Sequence, residues 1–460
     1  MRRVVTIAAK AAILGVFASI EIACGPAQVP PPAPKEAPPK ATSAPTAQVT
    51  ATPTVEVEPQ IVASEQALLT MLARVSKVRG LPVREKVNLR TLDRATIGQM
   101  LRKKAEDELP PAVLVNQTET MVALGLVKAD YDATAGMFQM LGASIAGFYE
   151  PADRTMYLVK DLSKMERDTT LAHELVHALQ DQHYALGPLL AYRPDADELL
   201  AAGHALAEGD ATAAMVDVAS NGKATLPIDM FEQEMRRSIE QMAPDVPVVL
   251  RESLIAPYVD GYTFVQALRA RGGYPAVDAV WKSLPTTTEQ LLHIDKYDAH
   301  EAAITVADPS FDALADSKKS RSFKPILKQV LGEQGLRIVL QSWSDVASAV
   351  IGAAGWGGDR CVLAEGQGSA AGERALACSF VFDTEQDAKE AAKLFKGQAH
   401  GDCLARPDTG PFAWAQKKRD VALVVGPYLR TEKTVKSTGT CQEAKRWLSQ
   451  LLAPPPKEKK

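Results

Sequence analysis

The sequence predicts an α+β protein with a large, mainly helical first part and a smaller second part that mixes strands and helices. In residues 61–310, apolar residues recur at three- and four-residue spacing, which is typical of helices. In residues 325–452, short apolar runs alternate with helical segments, which indicates a separate α+β module. Four of the five cysteines fall in this module, and 460 residues suffice for two or three domains.

The N-terminus has the features of a secretory signal peptide over residues 1–24. Basic residues precede a short apolar core at 11–20, and Cys24 follows a small residue. This arrangement resembles the bacterial lipoprotein cleavage site, although Glu21 stands where that pattern usually has leucine. Lipid on Cys24 would anchor an exported protein to the bacterial cell envelope. Ordinary cleavage near Ala27 is the alternative.

The segments next to the folded parts are poor in large apolar side chains. Residues 25–60 are rich in proline and are predicted to form a disordered linker, and residues 453–460 a disordered tail. The net charge of −4 shows no basic excess, which argues against a dedicated nucleic-acid-binding protein. The sequence leaves the oligomeric state open.

Within the first part, the clearest strand candidates are residues 112–115 and 154–159. A helix is predicted to begin after Ser163, since Glu166 three residues later completes a capping box. Gly187-Pro188 is predicted to end it.

This helix carries the motif HExxH, with His173, Glu174 and His177. Residues four apart lie about 40° apart around a helix, so the two imidazoles project from one face and can share a metal ion. Glu174 is rotated by about 100° from His173, which places it near the metal without binding it. A base in that position can take a proton from a metal-bound water.

A second helix is predicted to begin near Asp195, with Glu198 as its capping partner. It carries His204 and Glu208 one turn apart on the same face.

Three residues compete as the third metal ligand. His183 lies ten residues after His173, but Gln180 stands where a chain-turning glycine would be needed, so the helix is expected to carry His183 away. His204 is a ligand or a hydrogen-bonding neighbour of Glu208. Glu208 is the preferred ligand, because a set of two histidines and one glutamate keeps a position open for water.

The segments HELVHALQDQ and EGDA resemble zincin-type metallopeptidases of the gluzincin kind, in particular predicted bacterial secreted peptidases. The resemblance covers roughly residues 145–300. It implies a zincin-like metallopeptidase domain over 61–310, a Zn²⁺ cofactor held by His173, His177 and Glu208, and a peptide or protein as substrate.

The chain departs from the thermolysin pattern at Thr212, where an aspartate normally follows the glutamate ligand by one turn. Asp181 or Asp210 is expected to supply the supporting carboxylate instead. In zincins a strand before the metal helix pairs with the substrate, and residues 154–159 are either such an edge strand or a strand buried in the sheet.

A zinc peptidase also needs a donor for the developing oxyanion. The segments PYVDGY and TEQLLHIDKY look like segments that these predicted peptidases share, and they contain three possible donors. The three are Tyr258, His293 and Tyr297.

In the second part, one helix is predicted over 330–353, ending at the sequence GWGGDR, where Trp356 is favoured as a core residue over a ligand platform. Another helix is expected after Asp383, with Gln386 as its capping partner, and a last helix closes the chain. The strands are predicted near 361–365, near 376–382 and on both sides of Arg419–Asp420.

The four cysteines of the second part favour two disulfides in an exported protein. Cys361 and Cys378 lie on two apolar runs joined by a turn-like segment, which leaves Cys403 to pair with Cys441. A four-cysteine zinc site is the rival, but the sequence has no CxxC spacing.

Two functions follow. The first is a zinc-dependent peptidase, more specifically an endopeptidase, in which Glu174 is the general base. The second is a non-catalytic, surface-tethered binding or assembly protein built on a peptidase fold. A nucleophilic hydrolase is not favoured, since the sequence has no GxSxG motif.

Overall fold

The computed structural model describes residues 65–222, 225–431 and 434–453. The predicted signal peptide with Cys24, the linker over 25–60 and residues 454–460 of the tail lie outside these residues. Within the described ranges, no helix combines the length and the apolar character that crossing a membrane requires.

The first part of the chain is mainly helical, as predicted. A three-stranded sheet lies beside its helices, in the order β1-β3-β2, with β1 parallel and β2 antiparallel to β3. The helices are α1 (Glu65–Arg79), α2 (Arg94–Glu108), α3 (Pro111–Leu124), α4 (Ala133–Ser144), α5 (Lys164–Tyr184), α6 (Leu186–Leu190), α7 (Asp197–Ser220), α8 (Ile228–Met242), α9 (Val248–Val280), α10 (Thr288–Leu292) and α11 (Ile294–Asp298). The strands are β1 (Asn88–Leu92), β2 (Gly147–Glu150) and β3 (Thr155–Val159).

The second part is a seven-stranded antiparallel sheet with helices on both faces. The strand order is β4-β5-β6-β9-β8-β7, and β10 also pairs with β9. The strands are β4 (Arg321–Gln329), β5 (Trp356–Gly368), β6 (Glu373–Phe382), β7 (Cys403–Leu404), β8 (Phe412–Lys417), β9 (Asp420–Arg430) and β10 (Val435–Ser437). The helices are α12 (Gly332–Trp343), α13 (Val346–Ala353), α14 (Glu385–Gln398) and α15 (Cys441–Leu451), and two short 3₁₀ turns precede β4. The α+β class predicted from the sequence is confirmed.

Both predicted disulfides are present. Cys361 and Cys378 face each other directly across β5 and β6, so the bridge ties the two strands together inside the core. Cys403 and Cys441 join β7 to the first residue of α15. The first bridge therefore links two consecutive strands, and the second links elements 38 positions apart in the chain.

Three predictions in the first part were wrong. Residues 112–115 lie in α3, because Pro111 occupies the first helical position, where a missing N–H costs nothing. The second is the predicted end of α5, since Gly187 and Pro188 lie in α6 and α5 already ends before Ala185. The third is the predicted cap of α7. That helix begins at Asp197 without a side-chain cap, and Glu198 instead accepts hydrogen bonds from the backbone N–H and the hydroxyl of Thr288.

The strand predicted at 154–159 is confirmed as β3, but it is the central strand, buried between β1 and β2. Its parallel partner β1 lies more than sixty residues earlier in the chain, as the pairing of Asn88 with Thr155 shows. The edge strand that contacts α5, the helix with the HExxH motif, is therefore β2.

In the second part, the predicted helix over 330–353 is two helices. Asp345 caps the second by accepting a hydrogen bond from the Ser348 N–H, which breaks the chain direction after Trp343. The sequence GWGGDR does not form a turn alone but opens β5, and Trp356 is a buried core residue. The helix predicted after Asp383 begins at Glu385 and is capped by Thr384.

The two parts are packed against each other. Ile304, in the connecting segment, donates its backbone N–H to the Gly357 carbonyl at 2.7 Å, and a side chain on Gly358 would overlap the Ile304 carbonyl. Lys296 forms ion pairs with Glu289 and Glu301 of the first part and with Asp383 of the second. The connecting segment is thus hydrogen-bonded to the first residues of β5.

Candidate metal centre

Helix α5 brings the two histidines of the HExxH motif together. It begins with the predicted Ser163–Glu166 capping box and continues to Tyr184, past which Ala185 adopts a left-handed conformation. The Nε2 atoms of His173 and His177 lie 3.1 Å apart. Both side chains are buried, so the imidazoles face the interior between α5 and α7.

Helix α7 supplies the predicted third ligand. The Oε2 atom of Glu208 lies 3.1 Å from His173 Nε2 and 3.6 Å from His177 Nε2. The three side chains, which come from two helices, therefore converge on one point. Each has 1% or less of its surface exposed.

These distances match a small tetrahedral cation. Zinc–nitrogen and zinc–oxygen bonds of about 2.0–2.1 Å at tetrahedral angles place neighbouring ligand atoms about 3.3 Å apart. The three separations in the structure are 3.1, 3.1 and 3.6 Å. Two imidazoles and one carboxylate form a ligand set that suits divalent transition metals, zinc among them.

The charge of the site also fits a cation. Burial raises the pKa of Glu208, but His177, His173 and His204 outweigh burial and hold the pKa of this carboxyl well below its usual range. A fully buried carboxylate is stable only when it is paired. The site therefore combines a negative charge with two imidazole nitrogens at metal-binding distances.

The other two candidates for the third ligand are placed elsewhere. His204 Nε2 lies 3.1 Å from Oε1 of Glu208, so His204 is a hydrogen-bonding neighbour that holds the second carboxylate oxygen. His183 lies beyond the site on the continuing helix and contacts the Pro82 carbonyl at 2.7 Å.

A second group of acidic residues has the spacing of a metal site, but a lysine ammonium group lies among its carboxylates. Glu289, Glu301 and Asp383 surround the ammonium group of Lys296. The lysine supplies the positive charge that a cation would otherwise bring. This cluster is an ion-pair network between the two parts of the chain.

The support behind His177 is a glutamine. Gln180 Oε1 lies 2.7 Å from His177 Nδ1, and Gln180 Nε2 donates to Asp210 Oδ2 at 3.0 Å. Of the two aspartates considered from the sequence, Asp210 thus supports the site through Gln180. Asp181 accepts a hydrogen bond from the Tyr149 hydroxyl at 3.4 Å instead.

Glu174 lies on the strand side of α5. Its Oε2 atom accepts a hydrogen bond from the backbone N–H of Tyr149, in β2, at 3.2 Å. The side chain is fully buried. The bond holds the carboxylate between the metal helix and the edge strand.

The three possible oxyanion donors lie in different places. The ring of Tyr258, in α9, lies 6.1 Å from the ring of His173. His293 contacts Glu333 at 2.8 Å, and Tyr297 donates its hydroxyl to the Ser283 carbonyl at 2.7 Å. Tyr258 is therefore the one of the three whose ring is in contact with a predicted metal ligand.

Tyr258 reaches the site because α7 and α9 cross at two glycines. A side chain on Gly209 would overlap the backbone of Gly261, and one on Gly261 would overlap the Ala205 carbonyl. Only glycine permits this approach, which places Tyr258 near the face of α7 that carries Glu208.

Sequence reasoning did not find Gln180 or Arg79 as supporting residues. A signal for Gln180 was present, since it lies three residues after His177 and thus on the same face of α5. Arg79 had no such signal, because its contact with Asp210 spans 131 positions.

One protein-family model matches the chain, a domain of unknown function (DUF8575), over residues 324–436. The match lies in the second part, from β4 to β10, and covers none of the predicted metal ligands. No curated protein matches the chain. No solved structure matches it either.

Proposed function

We propose that the chain is a zinc-dependent endopeptidase, exported and tethered to the bacterial cell envelope through lipid on Cys24. The convergence of His173, His177 and Glu208 at zinc-like spacing carries this proposal. The resemblance of the HELVHALQDQ and EGDA segments to gluzincins supports it from the sequence.

Bound zinc would act as a Lewis acid on a peptide carbonyl and would lower the pKa of a water molecule in its open position. Glu174 would take a proton from that water at its carboxylate and return it to the leaving amine. The Tyr149 N–H would hold the carboxylate in place during this transfer. Tyr258 is the proposed donor to the developing oxyanion, since its ring lies beside His173.

The substrate is proposed to bind as an extended chain along β2. This strand is the edge of the three-stranded sheet, and its Tyr149 N–H points away from β3 toward Glu174 of the metal helix. A peptide would approach this edge on the side where Glu174 is held and would pair with backbone groups of β2 other than the Tyr149 N–H. Backbone pairing would provide affinity and side-chain pockets would provide selectivity.

A second candidate function is a non-catalytic binding or assembly protein with a structural metal. The burial of all three ligands to 1% exposure or less favours it, because a substrate must gain access to the site. The ligand set favours the enzyme, since structural zinc sites usually have four protein ligands and catalytic sites three.

Purified full-length protein separates the two functions. Metal content is measured first, and cleavage of a diverse peptide library is then assayed with and without a chelator. The enzyme is supported by bound zinc and by cleavage that the chelator abolishes. Zinc binding without cleavage of any library member supports the binding protein, and a chain that binds no zinc contradicts both.

A further inference from the structure

Gln180 lies between His177 and Asp210 in a way that fixes which nitrogen of the imidazole carries the proton. The amide nitrogen of Gln180 donates to two acceptors, Asp210 Oδ2 and the Ala207 carbonyl, both at 3.0 Å. The amide oxygen therefore faces His177 Nδ1, at 2.7 Å. An oxygen only accepts, so Nδ1 carries the hydrogen, and in the neutral imidazole Nε2 has the lone pair that a metal ion needs.

Asp210 is itself held by donors from two other helices. Its Oδ1 atom accepts from Arg79 Nε at 2.6 Å, and its Oδ2 atom accepts from Arg79 Nη2 at 3.1 Å and from Trp281 Nε1 at 3.0 Å. With the bond from Gln180, four hydrogen bonds hold this buried carboxylate. It cannot rotate without breaking several hydrogen bonds.

Arg79 is the last residue of α1, and it is completely buried. Besides Asp210, it forms an ion pair with Asp278 at 2.7 Å, and its guanidinium lies 4.7 Å from the centre of the Tyr274 ring. These contacts fix the guanidinium between α7 and the end of α9.

We propose that Arg79, Asp210 and Gln180 form a positioning relay that sets the tautomer and the orientation of His177 for the metal. The inference rests on the proposed function, since it assumes that His177 is a ligand. It assigns a role in metal binding to α1, which begins at the first described residues and carries none of the ligands. Groups that orient a metal-binding histidine typically change metal affinity by about 10- to 100-fold when they are removed.

The test measures the zinc dissociation constant of the full-length protein by chelator competition, and the visible spectrum of the cobalt-substituted protein as a readout of ligand geometry. Gln180→Met keeps the side-chain length but removes the acceptor. It should weaken zinc binding by about 10- to 100-fold and change the cobalt spectrum. Arg79→Met should weaken binding in the same direction, through the loss of support for Asp210.

Glu252→Gln is the matched control. Glu252 is buried on α9 and also pairs with an arginine of another helix, Arg236 of α8, but it contacts none of the relay residues. This variant should keep the zinc affinity and the cobalt spectrum of the wild type. Thermal unfolding of the metal-free proteins shows whether each variant is folded, and Asp210→Asn replaces any variant that is not.

Wild-type affinity and an unchanged cobalt spectrum in both Gln180→Met and Arg79→Met would overturn the relay and leave the proposed function standing. Equal weakening in Glu252→Gln would also overturn it, because the effect would then be general destabilisation. A wild-type protein that binds neither zinc nor cobalt would overturn the proposed function together with the relay.

Discussion

Arg79 Nε and Asp210 Oδ1 are 2.6 Å apart, although 131 positions separate the two residues in the chain. Both side chains are fully buried. Removing one partner of such a pair leaves a buried charge without compensation, which typically costs about 3–5 kcal/mol. Helix α1 is therefore part of the core that supports the candidate metal centre.

Replacing Glu174 by Gln should remove the general base and leave the ligands in place. We expect zinc content like that of the wild type and a fall in kcat of at least about 10²- to 10⁴-fold. Zinc content by mass spectrometry and peptide hydrolysis, measured on the same preparation, check this. Activity equal to that of the wild type would rule out Glu174 as the base.

The three candidates for the third ligand should differ in zinc affinity. Glu208→Ala is expected to abolish tight binding, because it removes a ligand and the only negative charge among the three. His204→Phe should weaken zinc by about 10-fold, since it removes a hydrogen bond to the ligand carboxylate. His183→Phe is the control and should leave the affinity unchanged. The dissociation constants are obtained by chelator competition, and a larger loss in His183→Phe than in Glu208→Ala would refute the assignment.

Tyr258→Phe removes the hydroxyl of Tyr258 and keeps its ring, which lies beside His173. We expect kcat to fall by about 10²- to 10³-fold, as for the loss of an oxyanion donor, with little change in zinc content. Tyr297→Phe is the matched control, because that hydroxyl donates to the Ser283 carbonyl and its ring packs against Phe264, away from the predicted metal ligands. Steady-state kinetics give kcat for the two variants. Similar kcat values for both would exclude Tyr258 as the donor.

Two buried carboxyls, Asp197 of α7 and Asp359 of β5, should make the protein less stable as the pH rises. Burial raises the pKa of Asp359 from 3.8 to about 7 and that of Asp197 to about 6. Both carboxyls hold their protons more tightly in the folded than in the unfolded chain, so the free energy of unfolding falls as the pH rises from about 4 to about 7.

Thermal unfolding between pH 4 and pH 8 checks this expectation, with Asp359→Asn for comparison. The variant lacks the titration of Asp359, so its stability should vary less steeply with pH. The same slope in both proteins would contradict the raised pKa of Asp359.

Cys24→Ser tests the proposed tether. Cell fractionation should find the wild type with the membranes and the variant in the soluble exported fraction, because a lipid can no longer be attached. The same distribution for both proteins would contradict lipidation at Cys24.

The sequence was most informative where the signal was local. The spacing of His173 and His177 depends on one helical turn, and the capping box at Ser163 on four consecutive residues, so both could be read directly. The short apolar run at 112–115 was misread as a strand, because such runs fit either element.

Contacts between residues distant in the chain could not be predicted from the sequence. The pairing of β1 with β3 and the contact of Arg79 with Asp210 join residues that are distant in the chain. The role of Gln180 depended on both of its partners being known. Glu208 could be proposed from its helix, but its distance from the histidines depends on how α7 packs on α5.

The crossing at Gly209 and Gly261 has a consequence for the width of the site. Gly209 directly follows Glu208 in the chain, and Gly261 lies three residues after Tyr258. A methyl group at either glycine would push α7 and α9 apart. The Glu208 carboxylate and the Tyr258 ring would then move away from each other. The distance between Glu208 and Tyr258, where a substrate carbonyl is proposed to bind, thus depends on Gly209 and Gly261.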